Sequence, residues 1–359
     1  EAYWSLANLK TYRFTPPEVH TMRAQLAREA LDEEDRIHLH FALGKALEDA
    51  RDYESAFAQY GNGNTLRRAS LRYDADEISQ LVERSKALFT PAFFAERTDV
   101  GSPAPDPIFI VGLTRSGSTL LEQILASHSQ VEGTMELPDI IALSRRFGRK
   151  RTGEEATYPA LLQSLGAEQF HELGEEYLSR TRVQRHTARP FFVDKMPNNW
   201  TNIGFIHLIL PNARIVDARR HPLACCFSNF KQLFARGQGF SYSLADCARY
   251  YRDYVDLTAH FDAVLPGRVH RVLHEQLIAD PEGEIRRLLA HCGLPFEEQC
   301  LRFYDNERAV RTASSEQVRR PLSAEGIEQW KKFEPWLGEL KAALGPVLGS
   351  YPDIPRASM

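Results

Sequence analysis

Between residues 107 and 119 the chain reads Pro107-Ile-Phe-Ile-Val-Gly-Leu-Thr-Arg-Ser-Gly-Ser-Thr119. The apolar run Ile108 to Val111 has the character of a buried strand. It enters a turn bracketed by Gly112 and Gly117, and a helix expected over 117–128 carries Leu120, Leu121, Ile124 and Leu125 on its apolar face. Backbone N–H groups at a helix start have no partner inside the helix, and the helix dipole adds partial positive charge. Such a turn is an anion cradle. The two glycines stand at the spacing of a nucleotide phosphate loop, and Thr119 fills its hydroxyl position. Ser118, however, occupies the place of the lysine that reaches the terminal phosphates of a nucleoside triphosphate. A cation is present instead inside the loop, at Arg115. The residues point to an anion other than the triphosphate of ordinary ATP or GTP chemistry.

Two further segments place cations at the ends of apolar strands. In Phe192-Val-Asp-Lys-Met-Pro197, Lys195 leaves a short strand and would face the loop anion if that strand neighbours Ile108 to Val111. In Ala213-Arg-Ile-Val-Asp-Ala-Arg-Arg-His-Pro222, Arg220 ends a strand and Ser228 follows on the next helix. A guanidinium fork and a hydroxyl would grip one phosphate from two sides. Taken alone, Lys195 also fits a surface turn, and Arg220 with Ser228 fits a strand cap and a core serine.

The elements that must position these groups alternate. Strands at Ile108 to Val111, Phe191 to Val193, Ile215 to Ala218 and Val269 to Leu273 precede helices expected over 117–128, 198–210, 222–233 and 281–292. Alternation of this kind implies a parallel sheet covered on both faces, with ligands beyond the carboxyl ends of its strands. The expected class is α/β. Ahead of it, residues 1–100 read as helical, and 41–60 resembles a tetratricopeptide repeat with Gly44, Leu47, Ala56, Tyr60 and Gly63 in phase; a partial copy starts at Trp4. A surface of that kind would suit a protein partner, and a plain helical hairpin fits the same residues. The proline-rich stretch Gly101-Ser-Pro-Ala-Pro-Asp-Pro107 sets the expected boundary, giving a helical domain over 1–100, an α/β domain over 101–345 and a tail over 346–359.

Composition excludes several classes. In 359 residues, 44 Lys and Arg stand against 48 Asp and Glu, which offers nothing to draw a nucleic acid. No apolar stretch is long enough to cross a bilayer, and no secretory leader is legible, so a cytoplasmic protein is expected. The five cysteines show no metal-ligand spacing and read as reduced, buried thiols.

On these motifs the chain from about 107 to 340 resembles sulfotransferases that use 3′-phosphoadenosine 5′-phosphosulfate, and with its helical start it resembles the bacterial tetratricopeptide-repeat members. The resemblance rests on Arg115-Ser-Gly-Ser-Thr119, Lys195-Met-Pro197, the eight-residue step from Arg220 to Ser228, and Ser314-Ser-Glu-Gln-Val-Arg-Arg-Pro321. It implies a donor whose 5′-phosphosulfate lies on Arg115, Ser116, Gly117, Ser118 and Thr119. The 3′-phosphate would be held by Arg220, Ser228, Ser314 and Arg320, and the spent donor is adenosine 3′,5′-bisphosphate. It implies no metal, because Arg115 and Lys195 supply the positive charge. Glu136 in Val131-Glu-Gly-Thr-Met-Glu-Leu-Pro138 takes the place of the catalytic base, with Glu132 as a nearby rival. The aromatic residue that usually packs on adenine is here His274, before Glu275. Asp217 is expected at a strand end or edge, not as a magnesium ligand.

The arrangement resembles tyrosylprotein sulfotransferases more than those acting on small phenols or steroids, so peptidyl tyrosine is the first acceptor expected; a carbohydrate or small-metabolite hydroxyl stays open. Those enzymes carry arginines just after the base. This chain has Leu137, Pro138 and Asp139, with Arg145, Arg146, Arg149, Lys150 and Arg151 further on, either as a docking patch for an acidic acceptor or as a solvated face. Two rivals remain: a magnesium-dependent kinase, against which Ser118 counts, and a silent adaptor that binds partners through its helical region.

Overall fold

A computed structural model describes residues 1–147, 157–310, 312 and 315–353. The chain forms two compact units interleaved in sequence. One consists of Glu1–Ala75, His221–Arg252 and Ser323–Tyr351, and the other is built on Asp76–Arg220 and Asp253–Leu322. The division differs from the contiguous one expected at residue 100, and side-chain chemistry gives the reason. After Ala75, Lys86 Nζ lies 2.8 Å from Asp256 Oδ2 and the Phe89 ring packs 5.7 Å from that of Phe261, which ties these helices to the second unit. Lys231 Nζ donates to Glu48 Oε1 at 2.6 Å, Asn64 Nδ2 donates to the Phe230 carbonyl at 2.8 Å, and Phe57 stacks on Trp336 at 6.2 Å. Those contacts tie 221–252 and 323–351 to the first unit.

In the first unit, helices Glu33–Asp49 and Tyr53–Ala69 form an antiparallel pair, each started by an aspartate: Asp32 accepts from Glu34 N and Asp52 from Ser55 N. The pair closes where side chains are absent. A Cβ on Gly44 would stand 2.8 Å from the Tyr60 ring, and one on Gly63 would stand 3.0 Å from Phe41. Helix Pro222–Phe230, shorter than the expected 222–233, carries Ser228 in this unit.

The second unit contains a five-stranded parallel sheet: β1 (Pro107–Gly112), β2 (Val131–Gly133), β3 (Phe191–Lys195), β4 (Arg214–Arg219) and β5 (Val269–Leu273), in spatial order β2-β3-β1-β4-β5. β1 is buried along its whole length, as a central parallel strand must be, which explains its unbroken apolar sequence. Its neighbours are β3 on one side and β4 on the other, so the chain reverses its direction of travel across the sheet at β1, and crevices open at such a point. β2 escapes sequence reading because it is only three residues long and carries Glu132 at its centre. The helix expected over 198–210 begins as a 3-10 turn, Pro197–Asn202, and becomes α-helical at Ile203–Ile209.

The proline-rich stretch before β1 is packed, not a free linker. Ser102 N donates to the Ile209 carbonyl at 2.9 Å, Ser102 Oγ donates to Glu175 Oε1 at 2.7 Å, and a Cβ on Gly101 would stand 2.4 Å from the Leu208 carbonyl oxygen. Among the described residues no helix is long and apolar enough to cross a membrane. All five cysteines are free thiols and buried.

Gly112 pairs with Ala218 in the β1–β4 register, has φ +132°, and would bring a Cβ within 2.4 Å of the Ala218 carbonyl oxygen. Gly112→Ala therefore combines backbone strain with a backbone clash and should cost about 2–4 kcal/mol in urea unfolding. Gly237, with φ +85° but open space around it, should cost only about 1 kcal/mol as Ala. Equal losses at the two positions would refute the close-approach argument.

Candidate active site

Three left-handed residues within six shape the loop after β1: Gly112, Arg115 at φ +66° and Gly117 at φ +101°. Ser116 Oγ donates to the Leu113 carbonyl at 2.7 Å and stabilises the bend. Arg220 Nη1 donates to the Arg115 carbonyl at 3.3 Å, so the loop and the end of β4 are joined. The helix that follows, Ser118–Ala126, is capped by Gly117 and buried throughout.

His274 follows β5 and packs onto this loop. A Cβ on Gly117 would stand 2.8 Å from His274 Nδ1, so glycine is required there by space as well as by φ. Burial, then the guanidiniums of Arg220 and Arg115, push the His274 pKa down to about 3, and the imidazole is neutral at ordinary pH. Among the described residues its buried Nδ1 has no hydrogen-bond partner.

On the other side of β1, the β1–β3 register pairs Ile110 with Lys195. The neighbour relation on which the sequence argument depended is therefore present. Lys195 Nζ donates to Glu136 Oε1 at 2.5 Å and lies 3.8 Å from Glu122 Oε2. The lysine side chain is 2% exposed and that of Glu136 48%: the cation is walled in while the carboxylate faces solvent. Glu132, the rival, has another task. Its carboxylate accepts from His186 N at 2.5 Å, Thr187 N at 3.1 Å and Thr187 Oγ1 at 2.9 Å, clamping the segment before β3.

Sequence reading missed Glu122 and Arg308. Glu122 is buried on the loop helix, with Arg308 Nη2 2.5 Å from its Oε1. That contact is an ion pair; Arg308 Nε donates to Gln123 Oε1 at 2.9 Å, and Nη1 to the Thr134 carbonyl at 3.2 Å. The available signal was a carboxylate among the apolar positions Leu120, Leu121, Ile124 and Leu125 of one helix. Arg308 also walls a cavity of about 530 Å³ with Glu132, Gly133, Arg189 and Asn306.

The late segment reaches the same helix. Thr119 Oγ1 and Thr312 Oγ1 are 3.2 Å apart, and Val318 joins the core that contains Leu120 and Leu121. Arg320 is exposed just after the 3-10 turn Gln317–Arg319. Ser314 lies outside the described residues, as do Arg149, Lys150 and Arg151 of the basic run. Arg146 from that run is paired with Glu176 at 2.7 Å. Ser228 belongs to the other unit, so the structure brings together in one unit Arg115 through Thr119, Glu136, Lys195, Arg220 and His274.

Asp217 corrects an expectation. It is neither at an edge nor at a strand end: β4 lies between β1 and β5, and Asp217 is fully buried. Burial alone would raise its pKa, but Arg219 and Arg271 outweigh that and hold it below the usual carboxylate range. Arg271 Nε donates to it at 2.9 Å, and the Tyr254 hydroxyl also donates to it. Among the described residues no group of three or more His, Cys, Asp or Glu side chains could hold a metal ion.

A parallel sheet with a glycine-bracketed loop at its switch point defines an α/β protein of the phosphate-loop kind. Residues 107–298 match the model of the sulfotransferase family, more than half of the chain, and the chain belongs to that family. An uncharacterized protein of Aquifex aeolicus (strain VF5) is 31% identical over 335 residues, 92% of this chain and 44% of that protein; the chain thus spans less than half the length of that relative. Protein-tyrosine sulfotransferase 1 of Danio rerio is 25% identical over 287 residues, 72% of this chain and 77% of that protein. Among solved structures, the sulfotransferase domain from the curacin biosynthetic pathway is 19% identical with a TM-score of 0.47, covering 67% of this chain and 98% of that one.

Beside Lys195, Asp194 points to the opposite face of β3 and is fully buried, with the Tyr177 hydroxyl donating to Oδ2 at 2.9 Å. Burial pushes its pKa up to about 8, although the Tyr177 hydrogen bond and the Lys195 charge act downward. A folded-state pKa above the unfolded value of about 3.9 means that the native state holds a proton the unfolded chain releases. Stability should therefore fall as pH rises from about 4 to about 8. Asp194→Asn should flatten that slope in urea unfolding at successive pH values. Identical slopes would overturn the assignment of a protonated Asp194.

Proposed function

We propose that this protein transfers the sulfuryl group of 3′-phosphoadenosine 5′-phosphosulfate to an acceptor hydroxyl. The observation that carries the reading is the buried Lys195 at the end of β3, beside the phosphate loop and in contact with the solvent-facing Glu136. In this reading the backbone N–H groups of residues 115–119, with Arg115, hold the 5′ end of the donor. Arg220, Ser314 and Arg320 hold the 3′-phosphate, the group that distinguishes this donor from ADP. His274, a neutral imidazole at the loop, contacts the nucleotide as a hydrogen-bonding group or a face for the base.

The bond from sulfur to the donor's bridging oxygen breaks as the bond from sulfur to the acceptor oxygen forms. The acceptor's proton passes to Glu136, a carboxylate within reach of solvent. Negative charge that grows on the bridging oxygen is met by Lys195 and Arg115, fixed cations that need no reorganisation. The products are the sulfated acceptor and adenosine 3′,5′-bisphosphate.

The acceptor we infer is peptidyl tyrosine, supported by the similarity to the protein-tyrosine sulfotransferase of Danio rerio. We assign the chemistry to the sheet-bearing unit. The paired helices Glu33–Asp49 and Tyr53–Ala69, read as a tetratricopeptide-type repeat, are assigned to binding a protein partner.

Titration calorimetry with adenosine 3′,5′-bisphosphate and with ADP, each with and without magnesium, tests the donor. Preference for the bisphosphate that does not depend on magnesium is expected, and magnesium-dependent binding of ADP would point to a kinase instead. Lys195→Ala and Glu136→Ala should each lower kcat by at least about 100-fold while bisphosphate affinity moves less than about threefold. Loss of affinity with an intact rate would reverse those roles. Transfer of labelled sulfate should favour an acidic tyrosine peptide over a saccharide or a simple phenol. A labelled saccharide with an unlabelled peptide would overturn the acceptor alone.

A further inference from the structure

Lys195 stands between two carboxylates, and only one of them leaves it at the reaction centre. Glu136 Oε1 is 2.5 Å from Nζ and Glu122 Oε2 is 3.8 Å away. Glu122 is the more deeply buried of the two, 3% exposed against 48%, so its need for a counter-charge is the greater. What satisfies it is Arg308, whose Nη2 is 2.5 Å from Glu122 Oε1. The guanidinium is held in that place by Gln123 Oε1 and by the Thr134 carbonyl, two residues before Glu136. Its own segment is stitched to the loop helix by Gln123 Nε2, which donates to the Asn306 carbonyl at 2.9 Å, and by Asn306 Nδ2, which donates to the Ala126 carbonyl at 3.2 Å.

We propose that Arg308 is a positioning residue that neutralises Glu122 and so reserves Lys195 for Glu136 and the leaving oxygen. Arg308 touches neither donor nor acceptor in this account; it acts through the carboxylate it occupies. Without its charge, Glu122 becomes a buried carboxylate whose nearest cation is Lys195, and the ammonium turns to it. The shift needed is on the order of 1 Å, and a misplacement of that size can cost about 100-fold in rate. Removing the charge of Glu122 as well leaves Lys195 with Glu136 as its partner, so the second change repairs the first. The inference rests on the sulfuryl-transfer reading for its rate effects only.

The test is a double-mutant cycle on the whole protein. R308M should lower kcat by roughly 100-fold with bisphosphate affinity within about threefold, and E122Q alone should stay within about threefold of wild type. The double variant E122Q/R308M should recover at least about tenfold of the lost rate. A merely structural arginine predicts no recovery, and that result overturns the inference. R308K keeps the charge without the planar fork and should lose less than about fivefold, a test that stands even if R308M does not fold. A loss in R308K as large as that expected for R308M also overturns it. Independently of turnover, a crystal structure of R308M, or of R308Q should R308M not fold, should show Lys195 Nζ about 3 Å from Glu122 and withdrawn from Glu136. Lys195 still on Glu136 there refutes the proposal, whereas a wild-type protein inactive with every acceptor refutes the transfer reading and leaves this structural test in force.

Discussion

The ammonium of Lys195 has almost no water around it, and an uncompensated charge in such a place costs several kcal/mol. Much of the surrounding architecture answers that demand. The loop helix contributes Glu122, the segment after β2 contributes Glu136, and the irregular chain after β5 sends Arg308 to balance the surplus carboxylate. Two positive and two negative groups result, drawn from four segments that are distant in sequence. The cluster therefore works as a fastening, since none of the four segments can shift without uncovering a charge.

A second constraint is steric and lies in the loop itself. The backbone enters the left-handed region at Gly112, Arg115 and Gly117. Glycine does so freely; for Arg115 the cost is about 1–2 kcal/mol. The conformation holds because Arg220 grips the Arg115 carbonyl and His274 fills the space against Gly117. Behind them, Asp217 with Arg219 and Arg271 fixes β4 against β5. Preorganisation of a site is thus traceable to particular partners of particular backbone atoms.

Much of this could be read before any coordinates. The β1 loop and the strand that delivers Lys195 were legible because a central parallel strand needs an unbroken apolar sequence and its turn needs glycine. β2 was not, since three residues with a carboxylate in the middle have no detectable period. Glu122 and Arg308 were hidden for a related reason: their meaning lies in each other, 186 residues apart (308 − 122), and no local pattern records such a pair. The proline-rich stretch before β1 misled in the usual way of compositional signals. Its residues resemble a hinge, yet Gly101 and Ser102 are packed against backbone and side chains of neighbouring helices. The acidic Asp217 misled because a charged residue in a strand suggests solvent, while here two guanidiniums make its burial tolerable.

The interleaving of the two units has a consequence for how the molecule comes into being. Tyr53 meets Phe333 at 5.2 Å and Phe57 meets Trp336 at 6.2 Å, so the helix Tyr53–Ala69 completes its packing with residues far along the sequence. On a ribosome the helix Tyr53–Ala69 emerges well before residues 323–351 and keeps an apolar face open until they are released. Contacts of such long sequence separation are slow to close, because the loop entropy must be spent before they form. Removing the first 75 residues as though they were an appended module would strip partners from 221–252 and 323–351 as well. Residues 1–75 are therefore completed by 323–351.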